Sequence, residues 1–256
     1  MVMKRDEIMS LILQMNSKNF ASLDYADDQK RDVFMILPGG GYTHASIREA
    51  QPVADAFSHL GLHLCIYHYR ETILRYPEIN DEAFELLKKL KNDPLIGKIH
   101  VIGFSAGGHF ALMLMEKYSA YFASGILCYA VVSMHQKWYH GGSFMQLLGD
   151  QYENEILRKQ VSLEHHVHKN MPPIFIFHTV DDEAVPIENA LVLIAALKEQ
   201  NIPVEAHLFP YGRHGISIAT AEVAFDDMSK EAFVLQYGYL NTWVHLARSF
   251  LKRYLS

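Results

Sequence analysis

The sequence predicts an α/β fold, a mostly parallel central sheet with helices on both faces. Two observations carry this. Apolar, β-rich runs alternate with segments of helical period, and glycine-rich turns join strand to helix at Gly39–Tyr42 and Gly103–Gly107. The 256 residues contain no internal repeat and no low-complexity linker. The chain, 1–256, therefore reads as a single domain.

Asp32–Leu37 (DVFMIL) is the first clear strand and leads into Gly39–Tyr42. Arg48–Leu60 is expected as a helix, with Ala50, Val53, Ala54, Phe57 and Leu60 at helical spacing. His63–Tyr67 is a strand. Asn80–Lys91 carries Ala83, Phe84, Leu86, Leu87 and Leu90 on a helical stripe, which Asp93-Pro94 and Gly97 end. Ile99–Ile102 is a short strand running into Gly103, and His109–Lys117 continues as a helix. Gly125–Val132 and Ile174–His178 are strands of the buried type. Ile187–Lys198 is a helix, Val204–Phe209 a strand, and Leu240–Tyr254 an amphipathic helix. Two stretches break the alternation, Met134–Met171 and Ile216–Gly238. Segments of that length in a compact α/β domain are usually lids or walls, so 134–171 is expected to form a small cap-like insertion.

The net charge of −6, with half the residues apolar and a fifth charged, fits a soluble globular protein. No long basic run is present, so no nucleic acid partner is expected. Cys65 and Cys128 each lie in an apolar run and read as buried, reduced thiols rather than a disulfide framework. The N-terminal MVMKRDEIMSLILQMNSK has an apolar core broken by charge and Gln, with no small-residue cleavage site after it. No apolar run reaches the length of about 18 residues that spans a membrane. The expectation is a cytoplasmic protein with no membrane partner. Glu164-His165-His166-Val167-His168 lacks metal-ligand spacing, so no metal and no cofactor are expected.

Gly103-Phe104-Ser105-Ala106-Gly107 fits G-x-S-x-G, with a strand leading in and a helix leading out. A serine nucleophile needs a tight, strained turn, and small neighbours let strand and helix approach there. The helix start then aims free N–H groups at the reacting carbon. Pro38-Gly39-Gly40-Gly41-Tyr42 supplies a second set, and Gly40, Gly41 and Ala106 are the oxyanion-hole candidates. Serine also needs a base held by a carboxylate. His214, in a glycine-flanked loop after a strand, is the candidate base. Asp181 and Asp182, also just after a strand, both remain candidates for the acid. Tyr42 beside the glycines and Trp138 in the cap are candidate substrate-binding residues; with Tyr139, His140 and Phe144, Trp138 forms either an acyl or sugar wall or the packing of the cap. From residues alone the reading is a serine acyl hydrolase.

LPGGGY, GFSAGGH, PPIFIFHTVDDEAVPIENA, FPYGRHGIS and the terminal TWVHLARSFL together resemble the α/β-hydrolase superfamily. More narrowly they resemble small bacterial esterases related to acetyl-xylan esterases and the hormone-sensitive-lipase-like acetyl esterases. The chain order Ser105, Asp182, His214 is that of the superfamily. The resemblance selects Asp182 through the H-x-x-x-D-x-x-V-P run. It implies hydrolysis of short acyl esters, with an acetylated sugar as the expected substrate class, and it admits a homodimer. Two positions depart from the pattern. Pro38 stands where His is frequent, and Thr179 where Gly is frequent. The short cap argues against long-chain lipids. A serine peptidase of the prolyl-oligopeptidase type is the first alternative, and a non-catalytic binding protein on the same scaffold the second.

Overall fold

The structure, a computed structural model, describes residues 9–256. Residues 1–8, part of the N-terminal stretch considered above as a leader, lie outside the described residues.

Among the described residues, eight strands form one sheet in the order β1-β2-β4-β3-β5-β6-β7-β8. They are β1 (Ser10–Gln14), β2 (Phe20–Asp24), β3 (Arg31–Leu37), β4 (His63–His68), β5 (Ile96–Phe104), β6 (Phe122–Cys128), β7 (Ile174–Thr179) and β8 (Val204–Phe209). From β4 to β8 every pairing is parallel, while β1 pairs with β2 and β2 with β4 in antiparallel fashion. Only β2 therefore runs against the others.

The parallel strands read as apolar runs because both faces are covered. Along β3 the period of two is visible: Val33, Met35 and Leu37 enter one core, and Phe34 and Ile36 the other. The first core lies under α2 (Glu78–Asn92), α3 (Ala106–Lys117), α4 (Gly141–Leu148) and α6 (Glu188–Glu199). The second lies under α1 (Gln51–Phe57), α7 (Lys230–Tyr237) and α8 (Thr242–Lys252). In α8, Trp243, Val244, Ala247, Phe250 and Leu251 are buried, the spacing of a single helical stripe.

Several expectations need correction. The helix expected over Arg48–Leu60 is divided. A 3-10 turn, Ile47–Glu49, precedes α1, and the break falls at Ala50, whose backbone (φ −103°, ψ −102°) is not helical. The strand expected over Gly125–Val132 ends at Cys128. Tyr129 takes φ +37°, and its N–H turns to the Phe177 carbonyl at 2.7 Å. The stretch 134–171 contains α4, the short α5 (Glu155–Gln160) and two 3-10 turns. The hairpin β1–β2 was not expected. Among the described residues, no helix is long and apolar enough to cross a membrane.

Candidate active site

Four loops meet at the carboxyl ends of the parallel strands. They follow β3, β5, β7 and β8, and they carry the glycine run, Ser105, Asp181-Asp182 and His214. Open α/β sheets place ligands at that edge.

The turn between β5 and α3 puts Ser105 at φ +52°, ψ −120°, a strained conformation for a residue with a Cβ. Its neighbours explain how the turn is tolerated. A Cβ on Gly107 would stand 2.2 Å from the Leu37 carbonyl oxygen and 2.4 Å from that of Pro38. A Cβ on Gly103 would stand 2.3 Å from the Gly107 oxygen. Both glycines are thus required by close approach of backbone to backbone. Hydrogen bonds from Ser105 N–H to Cys128 O (3.0 Å) and from Val131 N–H to Ser105 O (3.2 Å) secure the elbow against the end of β6.

His214 Nε2 lies 2.9 Å from Ser105 Oγ, and His214 Nδ1 lies 2.7 Å from Asp182 Oδ2. The carboxylate can only accept, so Nδ1 carries the proton and Nε2 is left to accept from the serine hydroxyl. Asp182 is held in turn: its Oδ1 accepts from the N–H groups of Ala184 and Val185, each at 2.9 Å. Its side chain is fully buried, while that of His214 keeps 22% of its surface exposed. Asp181 has another partner. Its Oδ1 accepts from Gly212 N–H at 2.6 Å, which ties the acid loop to the histidine loop. Thr179, at one of the departing positions, does the same from the strand end by donating to Gly212 O at 2.6 Å.

The glycine run closes the other side. Gly39 N–H donates to Glu49 Oε2 at 2.8 Å, so the first glycine is occupied. Gly40 takes φ +119°, and a Cβ there would meet His44 O at 2.3 Å. Gly41 takes φ +62°. Among the described residues, no acceptor pairs with the N–H groups of Gly40, Gly41 or Ala106. Pro38, the second departing position, uses its carbonyl to accept from Tyr69 Oη at 2.5 Å.

Neither expected substrate-binding residue lines the cleft that includes His214. Tyr42 has φ +60°, which turns its ring inward, and it is fully buried. Its hydroxyl donates to His109 Nδ1 at 2.8 Å, and Arg70 sits over its ring at 5.8 Å. Trp138 stacks on His135 with centroids 3.9 Å apart. It lines a cleft of about 700 Å³ with Arg158, Lys159, Val192 and Glu199, a cleft that includes none of Ser105, Asp182 and His214. A second cleft of about 700 Å³ does include His214, with Glu183, Tyr211, Arg213, Gln236 and Tyr237. Tyr211, on the loop after β8, and Tyr237, the last residue of α7, were not foreseen, because the sequence does not reveal that loop and helix meet beside His214.

Residues of the 134–171 stretch nevertheless approach the glycine loop. A Cβ on Gly41 would lie 3.9 Å from Ser143 Oγ, and His140 Nδ1 accepts from Ser143 N–H at 3.2 Å. Burial, with His214 nearby, holds the His140 imidazole below its ordinary pKa. The histidines of 164–168 point apart: His166 Nε2 meets Lys159 O and His168 Nε2 meets Glu116 O, each at 2.8 Å. Among the described residues, no group of three or more His, Cys, Asp and Glu could hold a metal ion.

A parallel sheet with a serine elbow at its carboxyl edge, and a histidine and an aspartate from later loops, defines an α/β-hydrolase. Residues 81–238 match the prolyl oligopeptidase family, and the chain belongs to it. It is 31% identical over 218 residues to endo-1,4-beta-xylanase B of Butyrivibrio fibrisolvens, covering 77% of this chain and 34% of that protein. The chain thus spans about a third of the length of that relative. Among solved structures, an acetyl ester-xyloside bifunctional hydrolase from Caldicellulosiruptor lactoaceticus superposes with a TM-score of 0.76 at 28% identity, over 91% of this chain and 88% of that one. A sugar hydrolase from Lactococcus lactis superposes with a TM-score of 0.78 at 28% identity, over 95% and 97%.

Proposed function

We propose that this enzyme hydrolyses short-chain acyl esters, of which acetylated sugars are the natural class, through a Ser105–His214–Asp182 triad. One observation carries the reading: an unbroken hydrogen-bonded chain from Ser105 Oγ through His214 to Asp182, at 2.9 Å and 2.7 Å. The sugar and the acetyl group are supported by the hydrolases named above, a xylanase, an acetyl ester-xyloside hydrolase and a sugar hydrolase.

In this mechanism Ser105 Oγ attacks the ester carbonyl while His214 Nε2 takes its proton. The buried Asp182 carboxylate stabilises the imidazolium that forms. Charge develops on the former carbonyl oxygen, and the N–H groups of Gly40, Gly41 and Ala106 donate to it. Each such donor typically contributes on the order of 3 kcal/mol to the transition state. His214 returns the proton to the leaving alcohol, which departs. Water then attacks the acyl-serine with His214 again as base, releasing the acid and restoring the hydroxyl.

The family description favours one other reading, cleavage of proline-containing peptides. A chain-length series of nitrophenyl esters, acetyl to decanoyl, with acetylated xylose and a prolyl peptide beside it, separates the two. Activity that peaks at acetyl or butyryl and vanishes in Ser105→Ala is the expected result. Cleavage of the peptide alone would replace the esterase reading with the peptidase.

A further inference from the structure

The elbow, the glycine loop and the histidine loop come from distant parts of the chain, yet one buried side chain is bonded into their shared wall. Glu49 is 3% exposed. Its Oε2 accepts from Gly39 N–H at 2.8 Å, and its Oε1 accepts from the Tyr129 hydroxyl at 2.6 Å. The Tyr129 oxygen then accepts from Ser217 N–H at 3.0 Å. The Tyr129 ring stands edge-on to the His214 ring, with centroids 5.1 Å apart and planes at 69°. Ser217, three residues beyond His214, closes the circuit by donating its hydroxyl to Arg48 O at 2.6 Å, beside Glu49.

We propose that Glu49, acting through Gly39 and Tyr129, is a positioning residue that sets the oxyanion loop and the catalytic histidine in register. The proposal rests on the triad reading above and extends it to residues that do not touch substrate.

Three points carry it. First, both donors reach the carboxylate as donors: a backbone N–H can do nothing else, and the Tyr129 oxygen is already an acceptor for Ser217. The carboxyl group offers one acceptor oxygen to each donor. A glutamine would turn an NH₂ towards one of them. Second, the contact is tight. A Cβ on Gly39 would stand 2.7 Å from Glu49 Oε2 and 3.0 Å from Ser105 Cβ. Glu49 and the nucleophile thus clamp the first glycine between them, and any shift of Glu49 moves Gly40 and Gly41. Third, the circuit joins two non-glycine residues at positive φ, Tyr129 at +37° and Ser217 at +52°, next to a third, Ser105 at +52°. Such conformations persist where the surroundings over-determine them, and they cluster at functional sites. Burial and the Glu49 charge together keep the Tyr129 hydroxyl protonated.

The test compares wild type, Glu49→Gln and Tyr129→Phe in three measurements: nitrophenyl acetate turnover, inhibition by a trifluoromethyl ketone, and the rate at which a fluorophosphonate labels Ser105. Endpoint labelling counts active sites, so kcat is quoted per labelled site. Misfolding alone would lower the number of sites and leave kcat per site unchanged. Glu49→Gln is expected to lower kcat per site by roughly 10- to 100-fold with little change in KM, less than or comparable to outright loss of an oxyanion donor. The ketone, which mimics the tetrahedral adduct, should weaken in proportion, and labelling of Ser105 should slow. Tyr129→Phe should do the same to a smaller extent, and it decides the matter if Glu49→Gln does not fold. Unchanged kcat per site and an unchanged ketone constant in the folded variants would overturn the proposal while leaving the esterase intact. A wild type that labels at Ser105 without cleaving esters would overturn the esterase reading alone, with labelling rates still testing Glu49. A wild type that neither cleaves nor labels would overturn both.

Discussion

Replacing His109 with glutamine removes a buried titratable ring while keeping one donor and one acceptor in its place. His109 is fully buried in α3. Its Nε2 meets the Val161 carbonyl at 2.8 Å, which can only accept, so Nε2 carries the proton and Nδ1 accepts from Tyr42. The ring thereby ties the 134–171 segment to the loop that follows the glycines. Burial holds its pKa down at about 4, against an ordinary 6.5. The folded protein refuses a proton that the unfolded chain accepts. Stability from this group is therefore complete above about pH 6.5 and is lost as pH falls towards 4. The gap is 6.5 − 4 = 2.5, and at about 1.36 kcal/mol per pH unit it corresponds to roughly 3 kcal/mol. Urea unfolding of wild type and His109→Gln at pH 7, 6, 5 and 4 measures it. Wild type should lose roughly 3 kcal/mol more than the variant across that range. Parallel stability curves for the two proteins would refute the reasoning.

Other substitutions have equally definite outcomes. Asp182→Asn should lower kcat by roughly 10³- to 10⁴-fold, because an amide can present its NH₂ to Nδ1 and favour the wrong tautomer. Asp181→Asn should leave kcat within about threefold and cost roughly 1 kcal/mol of stability, since its bond to Gly212 N–H is structural; steady-state kinetics and urea melts on the pair check both. Gly107→Ala drives a Cβ to 2.2 Å from the Leu37 oxygen. It should cost about 3 kcal/mol or more and abolish turnover, as seen in the melting temperature and in ester hydrolysis.

Where a motif constrains its own backbone, the sequence was readable. The glycines around Ser105 are there because the turn admits no Cβ, so the elbow is written locally. The two-residue alternation of β3 and the stripe of α8 are equally local. The sequence left Asp181 beside Asp182, and the bonds to Gly212 and His214 distinguish them only in three dimensions. Glu49 was invisible because its partners are 10 and 80 residues away. It looks like an ordinary polar position in a helical stretch. Tyr42 misled for the opposite reason: it adjoins the glycines in sequence, but a positive φ sends its ring into the core. The β1–β2 hairpin escaped because β1 is an exposed edge strand of five residues with no alternating burial.

The most direct test of the central claim is the intact mass, followed by peptide mapping, of the folded protein after treatment with a fluorophosphonate. One adduct per chain on Ser105, absent from Ser105→Ala and strongly slowed in a His214→Ala variant, is the predicted result. An adduct on another residue, or no adduct on a folded protein, would contradict a nucleophilic Ser105 and the acyl-enzyme mechanism built on it.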